Sequence, residues 1–198
     1  MNENIVGVVL AGGKSTRMGM DKALLEKSNR QFIQIAIDTL KEVTSRVVVS
    51  CREACQYGEY DLPVVFDEID GAGPLSGMHA VMKNIQADYY IFLPIDNPLV
   101  PGALFEYMLQ SAGDCDALVP YIGGYFEPLC AIYHRRCFPL IEKFLASGER
   151  KVRSFYSEAK ICPFTEEEIS LFGEPEKIFF NINHKDHYDR LLKMGDYE

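Results

Sequence analysis

No stretch of the sequence approaches about 20 consecutive apolar residues, so no membrane span and no membrane partner are expected. The opening segment MNENIVGVVLAGG has neither a cationic lead nor a long apolar core, so no signal peptide is expected. Basic side chains are in the minority, 20 against 29 acidic ones, for a formal net charge of -9. A nucleic-acid binder needs a basic stripe, and this balance argues against nucleic acid as a partner. It leaves room for an anionic small ligand, which a few local amides and cations can hold inside an acidic protein. The six cysteines, Cys51, Cys55, Cys115, Cys130, Cys137 and Cys162, contain no CxxC pair. A zinc site lacks its spacing, and a disulfide scaffold is implausible in a chain of 198 residues. The expectation is a reduced, cytoplasmic protein with mostly buried thiols. No linker, repeat or low-complexity stretch interrupts residues 1–198, which read as one domain.

What is present is an alternation of apolar runs with helical patterns. Ile5 to Leu10 reads as a strand buried on both faces. Phe32, Ile33, Ala36, Ile37, Leu40 and Val43 recur at helical spacing and make a core-facing stripe. Arg46–Ser50 and Leu62–Phe66 read as further strands. Pro74 suits the first turn of a helix carrying Leu75, Met78, Met82 and Ile85. Tyr89–Leu93 is another buried strand, and Pro101 opens a helix through Met108 and Leu109. Beyond residue 115 the pattern is less regular. Ala117–Pro120 and Leu129–Tyr133 look like strands around the turn Gly123-Gly124, and Pro139–Leu145 like a helix. Glu166-Glu167-Glu168 reads as the acidic first turn of a short helix after Thr165. The β-α-β-α rhythm indicates an α/β fold, a mostly parallel sheet wrapped by helices. Ligands of such sheets bind where loops leave the carboxyl ends of the strands. The segments to watch are therefore 11–21, 67–74 and 95–99.

The first of these, Ala11-Gly12-Gly13-Lys14-Ser15-Thr16-Arg17-Met18-Gly19-Met20-Asp21-Lys22, follows a buried strand. Its glycines allow close backbone approach, and successive amides there can form an anion nest. Arg17 and Lys22 add cations suited to a polyphosphate. The alternative is a solvated glycine turn with incidental basic residues. A Walker A loop is excluded, because Val8 stands where its first glycine belongs and lies inside the strand. The dinucleotide fingerprint GxGxxG is absent as well; Gly71-Ala72-Gly73 has Ser76 in place of the third glycine.

LAGGKSTRMGMDKALL resembles the signature LAGGxSxRMGxDKxLL of the nucleotidyltransferase superfamily, and more narrowly that of the molybdenum cofactor guanylyltransferases, the MobA family. The resemblance continues along nearly the whole chain. Asp67 with Gly73-Pro74-Leu75-Ser76-Gly77-Met78 is similar to the family's "D…GPLxGM" segment. Leu93-Pro94-Ile95-Asp96-Asn97-Pro98 matches its "CDxP" strand end. Glu127-Pro128-Leu129-Cys130-Ala131-Ile132-Tyr133 resembles the segment lining the acceptor site, Ser147-Gly148-Glu149-Arg150 a family turn, and Phe180-Asn181-Ile182-Asn183 the closing "NxN". Ser50 departs from the family, which often has Asn there to help hold guanine.

The resemblance implies a Rossmann-like three-layer α/β/α nucleotidyltransferase. Such an enzyme moves GMP from Mg²⁺-GTP to the phosphate of the molybdopterin cofactor, giving a guanine dinucleotide cofactor and pyrophosphate. It implies GTP and molybdopterin as substrates, Mg²⁺ as cofactor, and proteins that deliver or receive the cofactor as partners. Arg17, Lys22 and Asp96 would be catalytic. Leu10, Ala11, Gly12, Gly13, Lys22, Asp67 and Asp96 would hold GTP. Gly73, Pro74 and Leu75 would lie beside the base, and Glu127, Pro128, Asn181 and Asn183 beside the acceptor. From chemistry alone, Asp96 at a strand end suits either a Mg²⁺ ligand or a helix cap, and Asp67 either a ribose or base contact or a turn. Asn181 and Asn183, alternating on a terminal strand, would point the same way and could hold the acceptor or help the metal. Two other readings stay open. One is the same chemistry with another pair, CTP onto the cofactor or a nucleotide onto a phosphorylated sugar or metabolite. The other is a non-catalytic nucleotide-binding module.

Other patterns carry less. Asp114-Cys115-Asp116 spells a DxD in an expected loop. His184 and His187 are three apart on an expected helix but lack a third metal ligand. His79 sits beside the apolar stripe of its helix as a packed or cap-proximal residue, and His134-Arg135-Arg136 reads as a solvated basic face, with contact to an anionic acceptor as the alternative.

Overall fold

The computed structural model describes residues 4–12, 22–52, 60–69, 71 and 73–194. The first half supplies β1 (Ile5–Leu10), a 3₁₀ turn at Lys22–Leu24, the small hairpin β2 (Glu26–Lys27) and β3 (Arg30–Gln31), and α1 (Phe32–Val43). Then come β4 (Val47–Cys51), β5 (Val64–Phe66), α2 (Pro74–Asn84), β6 (Tyr89–Pro94) and α3 (Gly102–Ser111). The second half adds β7 (Ala117–Ile122), β8 (Tyr125–Phe126), β9 (Ala131–His134), α4 (Phe138–Ala146), β10 (Ile161–Thr165), α5 (Glu166–Ile169), α6 (Pro175–Ile178) and α7 (Lys185–Lys193).

The strands form one sheet in the order β10-β7-β9-β6-β1-β4-β5, with β8 paired to β7 at the side. Pairings β1–β4, β1–β6, β4–β5 and β7–β10 are parallel. β9 runs antiparallel to both its neighbours, β6 and β7. Along that path every strand but β9 therefore points the same way, as expected of a mostly parallel sheet.

The central strands are apolar at nearly every position, with Ser50 in β4 as an exception, because helices cover both faces of the sheet. Successive side chains alternate between two cores. Val9, Val49, Ile91 and Leu93 pack under α1 and α3 with Ile33, Ile37, Leu40, Leu104, Phe105 and Met108. Val6, Val8, Val48, Tyr90 and Phe92 pack under α2 and α4 with Leu75, Met78, Met82, Ile141 and Leu145. The three-layer α/β/α arrangement follows from this alternation. Gly7 falls on the α1 side, where a Cβ would sit 3.0 Å from Leu40 Cβ and 3.3 Å from both of its methyls.

Several boundaries differ from the sequence reading. β4 and β5 begin one and two residues late, and α3 begins after Pro101, which is its N-cap. β7 runs on to Ile122 and turns through Gly123 (φ 57°) and Gly124 (φ 83°) into β8, a turn open to glycine at both positions. β10 has no clear sequence signal, because Pro163 interrupts it. As an edge strand it tolerates the missing donor. Asn181 and Asn183 lie in an irregular segment before α7, not on a strand, and His184 is the N-cap of α7 rather than part of it. Thr165 and Glu168 form a reciprocal capping box at α5. The DxD carboxylates are absorbed in ion pairs, Asp114 with Lys160 and Asp116 with Arg136.

The expectation of reduced thiols is corrected. Cys115 and Cys162 are disulfide-bonded, with Cα atoms 6.0 Å apart, and Cys51 is disulfide-bonded as well. Pairing of β7 with β10 brings two residues separated by 47 positions within bridging distance, which their spacing in sequence does not reveal. Cys130 and Cys137 are free and buried; burial pushes the Cys137 thiol up to about 12 and Cys130 well above its ordinary value. No helix among the described residues is long and apolar enough to cross a membrane.

Gly7→Ala is expected to cost about 1–3 kcal/mol by overpacking against Leu40. The readout is a lower denaturant midpoint at unchanged slope. An unaltered midpoint would mean that α1 moves aside without strain.

Candidate active site

The carboxyl ends of β5, β4, β1 and β6 stand side by side, and the loops that leave them start in fixed positions. Ala11 N donates to Ser50 O (2.9 Å), Asp67 N to Cys51 O (3.0 Å) and Ile95 N to Leu10 O (3.3 Å). These bonds extend the sheet ladders beyond the strands. A cavity of about 310 Å³ opens on this edge. It is lined by Leu10, Gly12, Lys22, Ser50, Arg52, Asp67, Gly73, Pro74, Gly77, Pro94, Ile95, Asp96 and Leu129.

One wall is the start of α2. Gly73, the N-cap, has φ 62° and ψ -155°, a conformation costly for any residue with a Cβ, and Pro74 occupies the first turn. Gly77 sits one turn on. A Cβ there would lie 2.8 Å from Ser50 Oγ and 3.2 Å from Asp67 Oδ1. The Ser50 hydroxyl and the Asp67 carboxylate thus both border the space a side chain at position 77 would need. Ser50 is buried, at 2% exposure, yet lines the cavity.

The opposite wall is built around Lys22. Its Nζ lies 3.3 Å from Asp96 Oδ2 and 3.0 Å from Asn183 Oδ1. Packing explains why three residues so distant in sequence meet. The turn after Lys22 is anchored by buried Ala23 and Leu25, and Leu25 packs with Phe32, Ile182 and Leu191 in a small third core. Ile182 N donates to Asp96 O at 2.9 Å, which fixes the 180–183 segment to the end of β6. Beyond Asp96 lies Glu127, whose carboxyl is raised above its ordinary value, first by burial and then by the Asp96 charge. Two side-chain oxygens, from Asp96 and Asn183, therefore meet at one ammonium, with Glu127 close enough to feel the Asp96 charge. Such hard oxygen donors are the kind Mg²⁺ prefers.

Of the residues named from sequence, Leu10, Gly12, Lys22, Asp67, Gly73, Pro74 and Asp96 line the cavity together. Ala11 lies beside it, held by Ser50 O. Leu75 is wholly buried and offers only its backbone. Glu127 is near enough to Asp96 to feel its charge but does not line the cavity, and Pro128 O accepts from Tyr133 Oη at 2.7 Å. Asn183 reaches Lys22, whereas Asn181 is held by its carbonyl, 2.8 Å from His187 Nδ1. Gly13 and Arg17 lie outside the described residues. Arg52 and Leu129 were not singled out from sequence as site residues. Arg52 could have been found only by asking which residue follows β4, since a single arginine after a strand forms no pattern.

The family model described as "MobA-like NTP transferase domain" matches residues 7–162. The chain is 36% identical over 177 residues to the "Probable molybdenum cofactor guanylyltransferase" of Pelotomaculum thermopropionicum, covering 89% of this chain and 86% of that one. It is 33% identical over 180 residues to the molybdenum cofactor guanylyltransferase of Vibrio cholerae, covering 89% and 85%. Among solved structures, molybdopterin-guanine dinucleotide biosynthesis protein A of Archaeoglobus fulgidus superposes with a TM-score of 0.82 at 26% identity, over 95% of this chain and 97% of that one.

Gly77→Ala is expected to push Ser50 and Asp67 apart and weaken nucleoside triphosphate binding roughly tenfold, as a strain of about 1–3 kcal/mol would. Calorimetric titration of wild type and variant measures it. Equal affinities would show that this corner of the cavity is not in contact with the nucleotide.

Proposed function

The chain belongs to the MobA-like NTP transferase family and is a nucleotidyltransferase; on that premise we propose that it transfers GMP from Mg²⁺-GTP to the phosphate of the molybdopterin cofactor. The products are the guanine dinucleotide form of the cofactor and pyrophosphate. The observation that carries the proposal is the Lys22 ammonium held between Asp96 and Asn183 at a strand end that opens into the cavity.

The roles follow from position. Asp67, Ser50 and the start of α2 form the nucleoside side, where polar groups can read ribose and base. Leu10, Ala11 and Gly12 lead into the glycine loop that would wrap the triphosphate. The donors near Lys22 fit Mg²⁺, because two protein oxygens suffice when phosphates and water complete its shell. Asp96 would hold the ion, with Asn183 Oδ1 as the second protein oxygen. Bound there, the ion would neutralise charge on the phosphate oxygens. Glu127, Pro128 and Asn181 are assigned to the acceptor through the family resemblance, and Glu127 lies near enough to Asp96 to feel its charge.

The acceptor phosphate is already ionised, so the reaction needs no general base. An acceptor oxygen forms a bond to the α-phosphorus as the bond from that phosphorus to the β-phosphate oxygen breaks. Lys22 compensates charge on the α-phosphate as it changes partners. Arg17, through its place in the family signature, is assigned with Lys22 to the departing pyrophosphate. Catalysis in such a step is positioning and charge neutralisation. The family match and the partly exposed Lys22–Asp96 pair support catalysis over a mere binding role. One holds a reactive signature, and the other keeps a cation and a carboxylate exchangeable with substrate and metal.

Pyrophosphate release is to be measured with each of the four nucleoside triphosphates, with molybdopterin cofactor and Mg²⁺ present. GTP is expected to be the preferred donor, and Lys22→Ala and Asp96→Ala each to lower kcat by about 10²–10³ with the melting temperature little changed. Preference for CTP would overturn the guanine assignment. Near-normal turnover by either variant would overturn the roles given to these two side chains.

A further inference from the structure

The mechanism above uses Lys22, Asp67, Asp96 and the start of α2, and it leaves one charged side chain on the cavity wall without a role. Arg52 is the first residue after β4, and β4 lies between β1 and β5. It therefore leaves the sheet between the strand that feeds Gly12 and the strand that ends at Asp67. The direction of its stem separates the two possibilities. A Cβ on Gly12 would lie 3.5 Å from Arg52 Cγ and 3.8 Å from Arg52 N, so the aliphatic stem runs over Gly12. It leans toward the start of the glycine loop. These are ordinary van der Waals distances, so the stem lies beside Gly12 without crowding it.

Charge also singles Arg52 out. Two cations and two carboxylates line the cavity: Lys22 and Arg52, Asp67 and Asp96. Lys22 is occupied by Asp96 and Asn183. Arg52 is exposed, and among the described residues its guanidinium makes no hydrogen bond or ion pair. With no partner among the described residues, this guanidinium on the cavity lining can take a phosphate in a bidentate contact.

We propose that Arg52 binds the outer phosphates of the nucleoside triphosphate and holds the pyrophosphate as it departs. This rests on the nucleotidyltransferase reading of the cavity and adds to it a binding residue on β4. The inner phosphate belongs beside Asp96, at the other end of the row of strand ends. A long side chain running along Gly12 meets the tail of the ligand rather than its α-phosphate. Lysine cannot replace it fully, because an ammonium lacks the planar fork that engages two oxygens of one phosphate.

The test compares wild type, Arg52→Gln and Arg52→Lys in calorimetric titrations with GTP, GMP and inorganic pyrophosphate, all with Mg²⁺. Arg52→Gln is expected to weaken GTP and pyrophosphate about tenfold or more while GMP affinity stays the same. Arg52→Lys should recover part of the loss. In turnover, KM for GTP should rise with kcat little changed. Equal GTP affinity in wild type and Arg52→Gln overturns the proposal and leaves the transferase reading intact. Equal losses for GTP and GMP overturn it too, because Arg52 would then contact the nucleoside or the α-phosphate. A wild-type protein that binds no triphosphate overturns both readings together.

Discussion

A carboxylate at the end of a buried parallel strand needs a cation close by, and Asp96 finds Lys22. That contact, with Asn183 on the other side of the ammonium, joins positions 74 and 161 residues from Lys22. Both ends of the pair are partly open to water, with side-chain exposures of 17% and 24%. An ion pair so placed contributes at most about 1 kcal/mol to folding. Its value lies in placement. The pair is weak enough to be exchanged when another cation or a phosphate arrives, and the apolar packing of Leu25, Ile182 and Leu191 keeps the partners in position meanwhile. Strong packing beneath a weak ion pair gives a site that is ordered yet ready to be rearranged.

The framework around it was legible where the physical signal is local and repeated. β1 and α1 have the boundaries read from Ile5–Leu10 and from the stripe Phe32 to Val43, since burial on two faces and a helical period leave clear patterns. Edge elements left none. β10 is broken by Pro163, and the hairpin β2–β3 has strands two residues long, too short for any alternation. The Cys115–Cys162 bridge depends on which strands lie next to each other, and that is a property of topology rather than of spacing.

The site divides in the same way. Gly12, Lys22, Asp67 and Asp96 could be found because each lies in a segment that follows a strand and resembles a family motif. Arg52 also follows a strand, but it belongs to no motif, and only the packing of its stem over Gly12 marks it out. Ser50 is shorter than the residue the family often carries. The structure shows it buried with Asp67 Oδ1 against the glycine of α2, so the small side chain is part of a tight corner. The supposed strand at Asn181 and Asn183 failed because two asparagines with one residue between them do not imply extended pairing. The segment is held instead by the amide hydrogen bond from Ile182 to Asp96 O, by the contact of Asn181 O with His187 and by Ile182 in the small third core.

One strand of the main sheet runs against the rest. Because β9 is reversed between β6 and β7, the residues entering it, Glu127 to Leu129, arrive at the same rim that the other strands reach on leaving. The rim is thus assembled from exits on one flank and an entrance on the other. A lengthened or exchanged connection between β8 and β9 would remodel the far flank while every exit loop kept its anchor. In a lineage diversifying its second substrate, that reversal is where change could accumulate without loosening the grip on the first.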